Sequence, residues 1–337
     1  MKDLMKKSIF AFFSLLFLAS CGGGSNNNSS ETINGIEYSG DIYIAQQEGS
    51  ISEHVSLGVE SNSDQILNRE GFTIGFNYEN LVADWVAYSI TKESVSKSYS
   101  RSNYYTPDTE VPYEYRLDGG AFGSFVRGHL APAATVDFSE SSMLESFKMT
   151  NIAPQTQELN SGKWATLEQW VRDCATEVNH LIVFTGPIYL PNNLYFLVDN
   201  EGRLIKVPDY YYKIIIKPES PAQAIAFILP NNSGSFTKIA DYKTNIDDIE
   251  SRTNIDFLSN VKDDIETKLE FAEHEICHMP LSGEDEDEDE DEGWSCSYSP
   301  YCYQLSSCSE AYYYLNTCGL NRLDGDNDGI PCETLCN

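Results

Sequence analysis

Val126-Arg127-Gly128-His129-Leu130-Ala131-Pro132-Ala133 is followed by Thr150-Asn151-Ile152-Ala153-Pro154-Gln155, then by Leu159-Asn160 and Trp164-x-x-x-Glu168. The end of this stretch, Ser161–Arg172, reads as a helix. Around it, the apolar or alternating runs Thr73–Tyr78, Trp85–Ile90, Leu181–Thr185, Tyr210–Ile216 and Ala224–Leu229 read as strands. Pro and Gly punctuate several of them, at Gly186-Pro187, Pro218, Pro221 and Pro230. Asn245–Phe271 reads as two further helices, so the class is mixed α+β, without an internal repeat.

The polar residues of the deciding stretch suit phosphodiester hydrolysis. That reaction needs a base for water, a cation on the phosphoryl oxygens, and further positive charge for the pentacoordinate state. His129 supplies an imidazole that titrates near neutral pH, and Asn160 supplies a hard amide oxygen suited to Mg²⁺. On one continuous helix, Glu168 would face within ~80° of Asn160 and lie ~12 Å further along, placed to order the ion's water shell. Arg101 and Arg127 can clamp phosphate oxygens. Taken singly, each has a structural explanation: Arg-Gly-His as a turn, Asn160 as an N-cap, Glu168 as a solvated helix face. Their joint order and spacing favour a site. A His of unperturbed pKa would make activity fall below about pH 6.5.

The same residues resemble the DNA/RNA non-specific endonucleases, whose active site is a ββα-metal motif. Trp85-Val86-Ala87-Tyr88 with Thr91, Thr185-Gly186-Pro187, Val207-Pro208 with Tyr212-Lys213, and Ile249-Glu250 with Thr253 extend the likeness over about Ser56 to Leu258. The resemblance implies a ββα-metal domain with a central antiparallel sheet. It also implies His129 as general base, Asn160 as the direct protein ligand to Mg²⁺ (or Mn²⁺), and Arg101 at the transition state. Arg127 and Asn151 would support the site, with Glu168 behind the ion. DNA and RNA would be the substrates, with 5′-phosphate products. The family usually has Asp before Arg-Gly-His, whereas this chain has Val126, which implies altered tuning.

The formal net charge of −30 opposes nucleic-acid binding, although nine of the acidic residues form one run, Glu284–Glu292, that reads as a solvated linker. Salt screens the remainder within ~8 Å, which leaves room for a local basic cleft. The acidic surface keeps a second reading open, a calcium-dependent surface binding or adhesion protein on an inactive nuclease fold. His274-Glu275-Ile276-Cys277-His278 matches the zinc-peptidase pattern of two His one helical turn apart. Catalytic zinc needs a third ligand, and Pro280 ends that helix too soon to offer one nearby. A helix end closed by a Cys174–Cys277 disulfide is the plainer expectation.

Lys2, Lys6 and Lys7 precede an apolar run, Ile9–Leu18, ending at Leu18-Ala19-Ser20-Cys21. This is the layout of a secretory signal, too short to span a membrane. Its end resembles a lipobox, which implies a lipid anchor on Cys21, membrane attachment and, with Gly22 next, the outer membrane. No protein partner is legible. Eight cysteines remain for disulfides in an oxidising compartment, six of them after residue 293. There, Asp324-Gly325-Asp326-Asn327-Asp328-Gly329 begins like a calcium loop. The segment resembles the Excalibur calcium-binding domain, which makes Asp324, Asp326, Asp328 and Glu333 the Ca²⁺ ligands and Cys308–Cys332 the expected bridge. The expected organisation is a signal (1–21), a tether (22–34), a nuclease-like domain (35–282), an acidic linker (283–293) and the calcium module (294–337).

Overall fold

A computed structural model describes residues 53–232, 238–271, 274–279, 296, 299–305, 307–325 and 330–336, and the backbone of 31–33 and 36–38. The signal with Cys21, the acidic linker, and Asp326 and Asp328 of the calcium loop lie outside the described residues. Glu31–Ile33, at the end of the stretch read as tether, pairs antiparallel with Ile36–Tyr38.

The principal strands in chain order are β1 (Gln65–Asn68), β2 (Thr73–Asn77), β3 (Val82–Thr91), β4 (Val126–His129), β5 (Ile152–Gln155), β6 (His180–Ile188), β7 (Tyr210–Lys217), β8 (Gln223–Pro230) and β9 (Lys243–Thr244). Seven of them form one antiparallel sheet in the order β9-β8-β7-β6-β3-β2-β1. The middle strands are covered on both faces, which is why β6 reads as a near-continuous apolar run instead of an alternation. Tyr88, Val183, Tyr211 and Ile215 line one face beneath helix α1 (Ala165–Val178), which contributes Leu167, Trp170 and Val171 to the same core. Trp85, Phe184, Tyr212 and Ile214 line the other face. There they pack with Ile246 and Ile249 of α2 (Ile246–Thr253) and Leu269 of α3 (Asp263–Phe271). Asn245 caps α2 by accepting a hydrogen bond from the Asp248 N–H, and Asn254 ends it in the left-handed region. The α+β class and the central antiparallel sheet are as expected from the sequence.

β4 and β5 stand apart from the sheet as a two-stranded pair, with His129 opposite Ile152 and Val126 opposite Gln155. At Gly128 a Cβ would lie 2.2 Å from Gln155 Oε1 and 2.3 Å from its Cδ, so a side chain there would have to displace the buried Gln155 side chain. After β5, Thr156 caps a short turn, Gln157–Leu159, and a wide turn at Asn160–Trp164 leads into α1. Gly162, at φ −103° and ψ −118°, breaks the helical path. Asn160 and Glu168 therefore do not share one continuous helix, and the rotation worked out for an ideal helix does not apply.

Two further expectations are corrected. His274–Met279 is an irregular strap, not a helix, so His274 and His278 are not one helical turn apart. His274 Nδ1 sits 3.1 Å from the Ala224 backbone nitrogen, and the His278 carbonyl accepts from the Trp170 indole at 3.1 Å. Neither histidine joins a three-ligand cluster among the described residues, which removes the zinc reading. The disulfide that was expected to close this stretch is present as Cys174–Cys277. In the module, Cys332 bonds to Cys302, while Cys308 bonds to Cys336 and Cys296 to Cys318, so the expected Cys308–Cys332 bridge does not form. The reason is spatial. Cys308 opens a helix that packs on the final helix Glu333–Cys336, while Cys332 is drawn under the Leu323 turn by a backbone hydrogen bond of 2.7 Å.

Candidate active site

β4, the turn at Asn160 and the start of α1 wall a cleft of about 640 Å³. Arg101, Arg127, His129, Asn160, Glu168 and Arg172 all line it. The tertiary fold thus brings together five residues singled out in the sequence and adds Arg172. Arg172 follows Glu168 by four residues on α1, a spacing that places both on one helix face and could have revealed it.

His129 ends β4 and is nearly buried, between the ring of Phe147 (centroids 4.7 Å, edge-on) and that of Tyr105 (5.7 Å). Its Nε2 has no hydrogen-bond partner among the described residues. Burial, followed by the neighbouring Arg101 and Arg127 guanidinium charges, holds the imidazole well below its ordinary pKa. The neutral, proton-accepting form therefore extends to lower pH than an unperturbed His would allow. Tyr105 and Phe147 also seat the arginines. Arg127 stacks 4.1 Å over Tyr105 and donates to the Gly119 carbonyl, and Arg101 lies 5.4 Å over Phe147.

Asn151 is not in the cleft. It is fully buried, accepts from the Ala131 N–H, and donates to the Ala131 and Ser146 carbonyls, all at 2.9 Å. With its own carbonyl accepting from the Leu130 N–H, it braces the chain just beyond His129. Val126, at the position where the family usually has Asp, lines the cleft with an aliphatic side chain that can neither accept a hydrogen bond nor bind a cation.

Glu168 faces the cleft from α1 with Oε1 buried and without a hydrogen-bond partner among the described residues. Burial raises its carboxyl pKa, opposed in order by the charges of Lys213, Arg172 and Arg101. The Trp164 indole N–H also favours the charged form, although it is not in hydrogen-bond geometry. The amide oxygen of Asn160 and the unsatisfied Glu168 oxygen, both hard donors on one cleft wall, fit a hydrated divalent cation such as Mg²⁺. The three-carboxylate groupings among the described residues, Asp247/Glu250/Glu270 and Asp256/Glu266/Glu270, are not among the residues that line this cleft. Lys213 was noted in the sequence only as a landmark, since spacing does not show what a strand residue faces.

The C-terminal module has its own small core and contributes Tyr312, Ile330 and Cys336 to the cleft rim. Asp324 is nearly buried there, while Glu333, exposed, begins the last helix.

An imidazole and a carboxylate with unmet hydrogen-bonding capacity line one cleft with three guanidinium groups, the kind of set that phosphodiester hydrolysis calls for. The chain belongs to the DNA/RNA non-specific endonuclease family, whose profile matches residues 51–264. Residues 299–333 match the Excalibur calcium-binding domain. Nuclease C1 of Cunninghamella echinulata var. echinulata is 28% identical over 247 residues, covering 68% of this chain and 96% of that protein. The nuclease of Serratia marcescens is 29% identical over 218 residues, covering 62% of this chain and 80% of that protein. In fold, the chain resembles EndoG in its complex with EndoGI, with a TM-score of 0.56 and 22% identity. That match covers 64% of this chain and 94% of the solved one.

Proposed function

We propose that this nuclease is an exported, lipid-anchored endonuclease that hydrolyses both DNA and RNA with little sequence preference. The observation carrying the reading is the pairing of His129, buried and without a partner at Nε2 among the described residues, with Arg101, Arg127 and Arg172 around one cleft. His129 accepts the proton of the attacking water. Arg101 and Arg127 hold the non-bridging phosphate oxygens, with Arg172 adding charge from the α1 side. These contacts go to backbone phosphate, which every nucleic-acid sequence presents. Asn160 would hold the divalent ion, Mg²⁺ or Mn²⁺, with Glu168 facing its water shell. When bound, that ion supplies positive charge to the phosphoryl and leaving oxygens. Products carry 5′-phosphates. The Excalibur module binds Ca²⁺ through Asp324, Asp326, Asp328 and Glu333. Cys21 carries the lipid that attaches the protein to the outer membrane.

The test is incubation of soluble protein (residues 22–337) with supercoiled plasmid and, separately, with RNA in Mg²⁺, alongside EDTA and His129→Ala controls. Both substrates should be degraded, EDTA should abolish cleavage, and His129→Ala should lower the rate by about 10²–10⁴. No cleavage in Mg²⁺ or Mn²⁺ by a folded protein would replace this reading with that of a calcium-dependent binding protein.

A further inference from the structure

Two tyrosines of the C-terminal module, Tyr301 and Tyr303, lie 6.0 Å apart between ring centres with their planes 7° from parallel. They are 55% and 84% exposed, and neither belongs to the module's core or to the hydrophobic residues packed against it. The Arg322 guanidinium lies over the Tyr301 ring, 4.9 Å from its centre. Arg322 is itself fixed by donating to the Ser299 hydroxyl at 2.7 Å and to the Pro300 carbonyl at 2.8 Å. The tyrosines sit on a tight turn, Cys302–Gln304. The Tyr301 N–H donates to Gln304 Oε1 at 2.9 Å, the Gln304 N–H donates to the Tyr301 carbonyl at 2.8 Å, and Cys302 is bonded to Cys332. Aromatic faces held open to solvent on a braced turn are preorganised for a flat ligand.

The Cys302–Cys332 bond also ties this pair to the cleft, because Ile330, two residues before Cys332, lines the cleft with Tyr312 and Cys336. With 5.2 Å between the Cα atoms of the disulfide and about 3.8 Å per residue, the Tyr301 and Ile330 Cα atoms are at most about 17 Å apart. A strand leaving the cleft past Ile330 covers that distance in about five stacked nucleotides. Charge narrows the occupant. The formal net charge is −30, so attraction for phosphate is weak away from the cleft arginines. A base needs no such attraction, since its flat face stacks on tyrosine whatever the sequence. Duplex bases already stack on one another, whereas unpaired bases offer their faces. We propose that Tyr303 and Tyr301, backed by Arg322, form a stacking platform for unpaired bases of the strand held in the cleft. The calcium module is then a single-strand-binding element of the nuclease, and Tyr303, the more exposed ring, presents the principal face. The proposal rests on the reading of the cleft as the site of nucleic-acid hydrolysis.

Binding is measured on residues 22–337 carrying His129→Ala, in Ca²⁺ without Mg²⁺ to suppress cleavage. The probes are a fluorescein-labelled oligo(dA), a strand of equal length with abasic sites in place of its bases, and a blunt duplex of that length. Tyr303→Ala should weaken oligo(dA) binding about tenfold and leave the abasic strand and the duplex unchanged. Tyr303→Trp should keep the affinity, because the platform needs a ring and not the hydroxyl. The slope of log Kd against log salt should be the same in every variant, since no phosphate contact is lost. In the protein with both tyrosines intact, the Tyr303 ring protons should move upfield in NMR on adding oligo(dA) and stay in place with the abasic strand.

An affinity for oligo(dA) that Tyr303→Ala leaves unchanged would overturn the proposal. So would an equal weakening of the abasic strand, which would trace the effect to the sugar-phosphate backbone or to a loss of fold. If Tyr303→Ala does not fold, the ring-proton shifts decide alone, and shifts that oligo(dA) leaves in place would refute the platform. A wild-type protein that cuts neither DNA nor RNA would remove the proposed function, whereas base-dependent binding at Tyr303 is read without cleavage and stands or falls by itself.

Discussion

Replacing Cys174 and Cys277 with alanine opens a covalent loop of sequence separation 103 that ties the strap His274–Met279 onto α1. In the chain-entropy model, a loop of that length restricts the unfolded chain by about 4.7 kcal/mol at 25 °C. Both cysteines are buried, so the variant also loses packing around two sulfur atoms. The unfolding entropy of a domain the size of residues 51–264 is roughly 0.45 kcal/mol per kelvin. The expected fall in Tm is therefore about 10 °C, read by differential scanning calorimetry. Substitution is preferable to reductant because the three module disulfides stay intact. Neither cysteine lines the cleft, and the strap keeps the hydrogen bonds from Trp170 to the His278 carbonyl and from Gln223 to the Glu275 carbonyl. Nuclease activity at 25 °C should therefore persist. A double variant that melts within about 2 °C of the wild type would refute the reasoning, since it would mean the unfolded chain gains little freedom from the cut.

Three further outcomes are expected. Because burial and two arginines depress the His129 pKa, the acidic limb of kcat/KM on plasmid should lie below pH 6.5, and a limb at or above that value would contradict the observed environment. Glu250, Glu266 and Glu270 are raised to about 7, 7 and 8, foremost by burial and then by neighbouring carboxylates (Asp256 beside Glu250, Asp256 and Asp263 beside Glu266, Glu250 and Glu266 beside Glu270), so the folded state holds protons that the unfolded chain releases. Stability from these groups is thus present below the ordinary carboxyl range and lost as pH rises through 7 to 8. Glu270→Gln should raise the unfolding free energy from urea titration at pH 8.5, by on the order of 1 kcal/mol after solvent screening, and with it the urea midpoint, and leave both unchanged at pH 4. An unchanged midpoint at pH 8.5 would count against the cluster. Removing residues 294–337 should leave catalysis measurable, because the module has its own core, but should change KM, because Tyr312, Ile330 and Cys336 form part of the cleft rim. A folded but inactive truncation would show that the module completes the site.

The sequence by itself determined the α+β class, the set of polar residues (His129, Asn160 and Glu168 among them) that meet in one cleft, and the Cys174–Cys277 bridge. Each depends on local order: strand runs punctuated by Pro and Gly, one motif with fixed spacing, and two cysteines left over from a clustered set. Tertiary packing decided what spacing cannot express. The H-E-x-x-H pattern became a strap because Cys277 is anchored to α1 and the flanking backbone hydrogen-bonds to Ala224, so periodicity had no helix to act on. The wide turn at Gly162 separated Asn160 from the helix of Glu168. Cys332 met Cys302 instead of Cys308 because the Leu323 turn draws it away, and disulfide partners follow proximity in space, not order in the chain. Asn151 proved to be a brace, because the direction of a side chain depends on the neighbouring strand. The low His129 pKa and the buried Lys213 charge were equally invisible in the sequence. Both arise from desolvation and from charges brought together across the fold, since an ionisation equilibrium responds to distance and dielectric, neither of which is written in the order of residues.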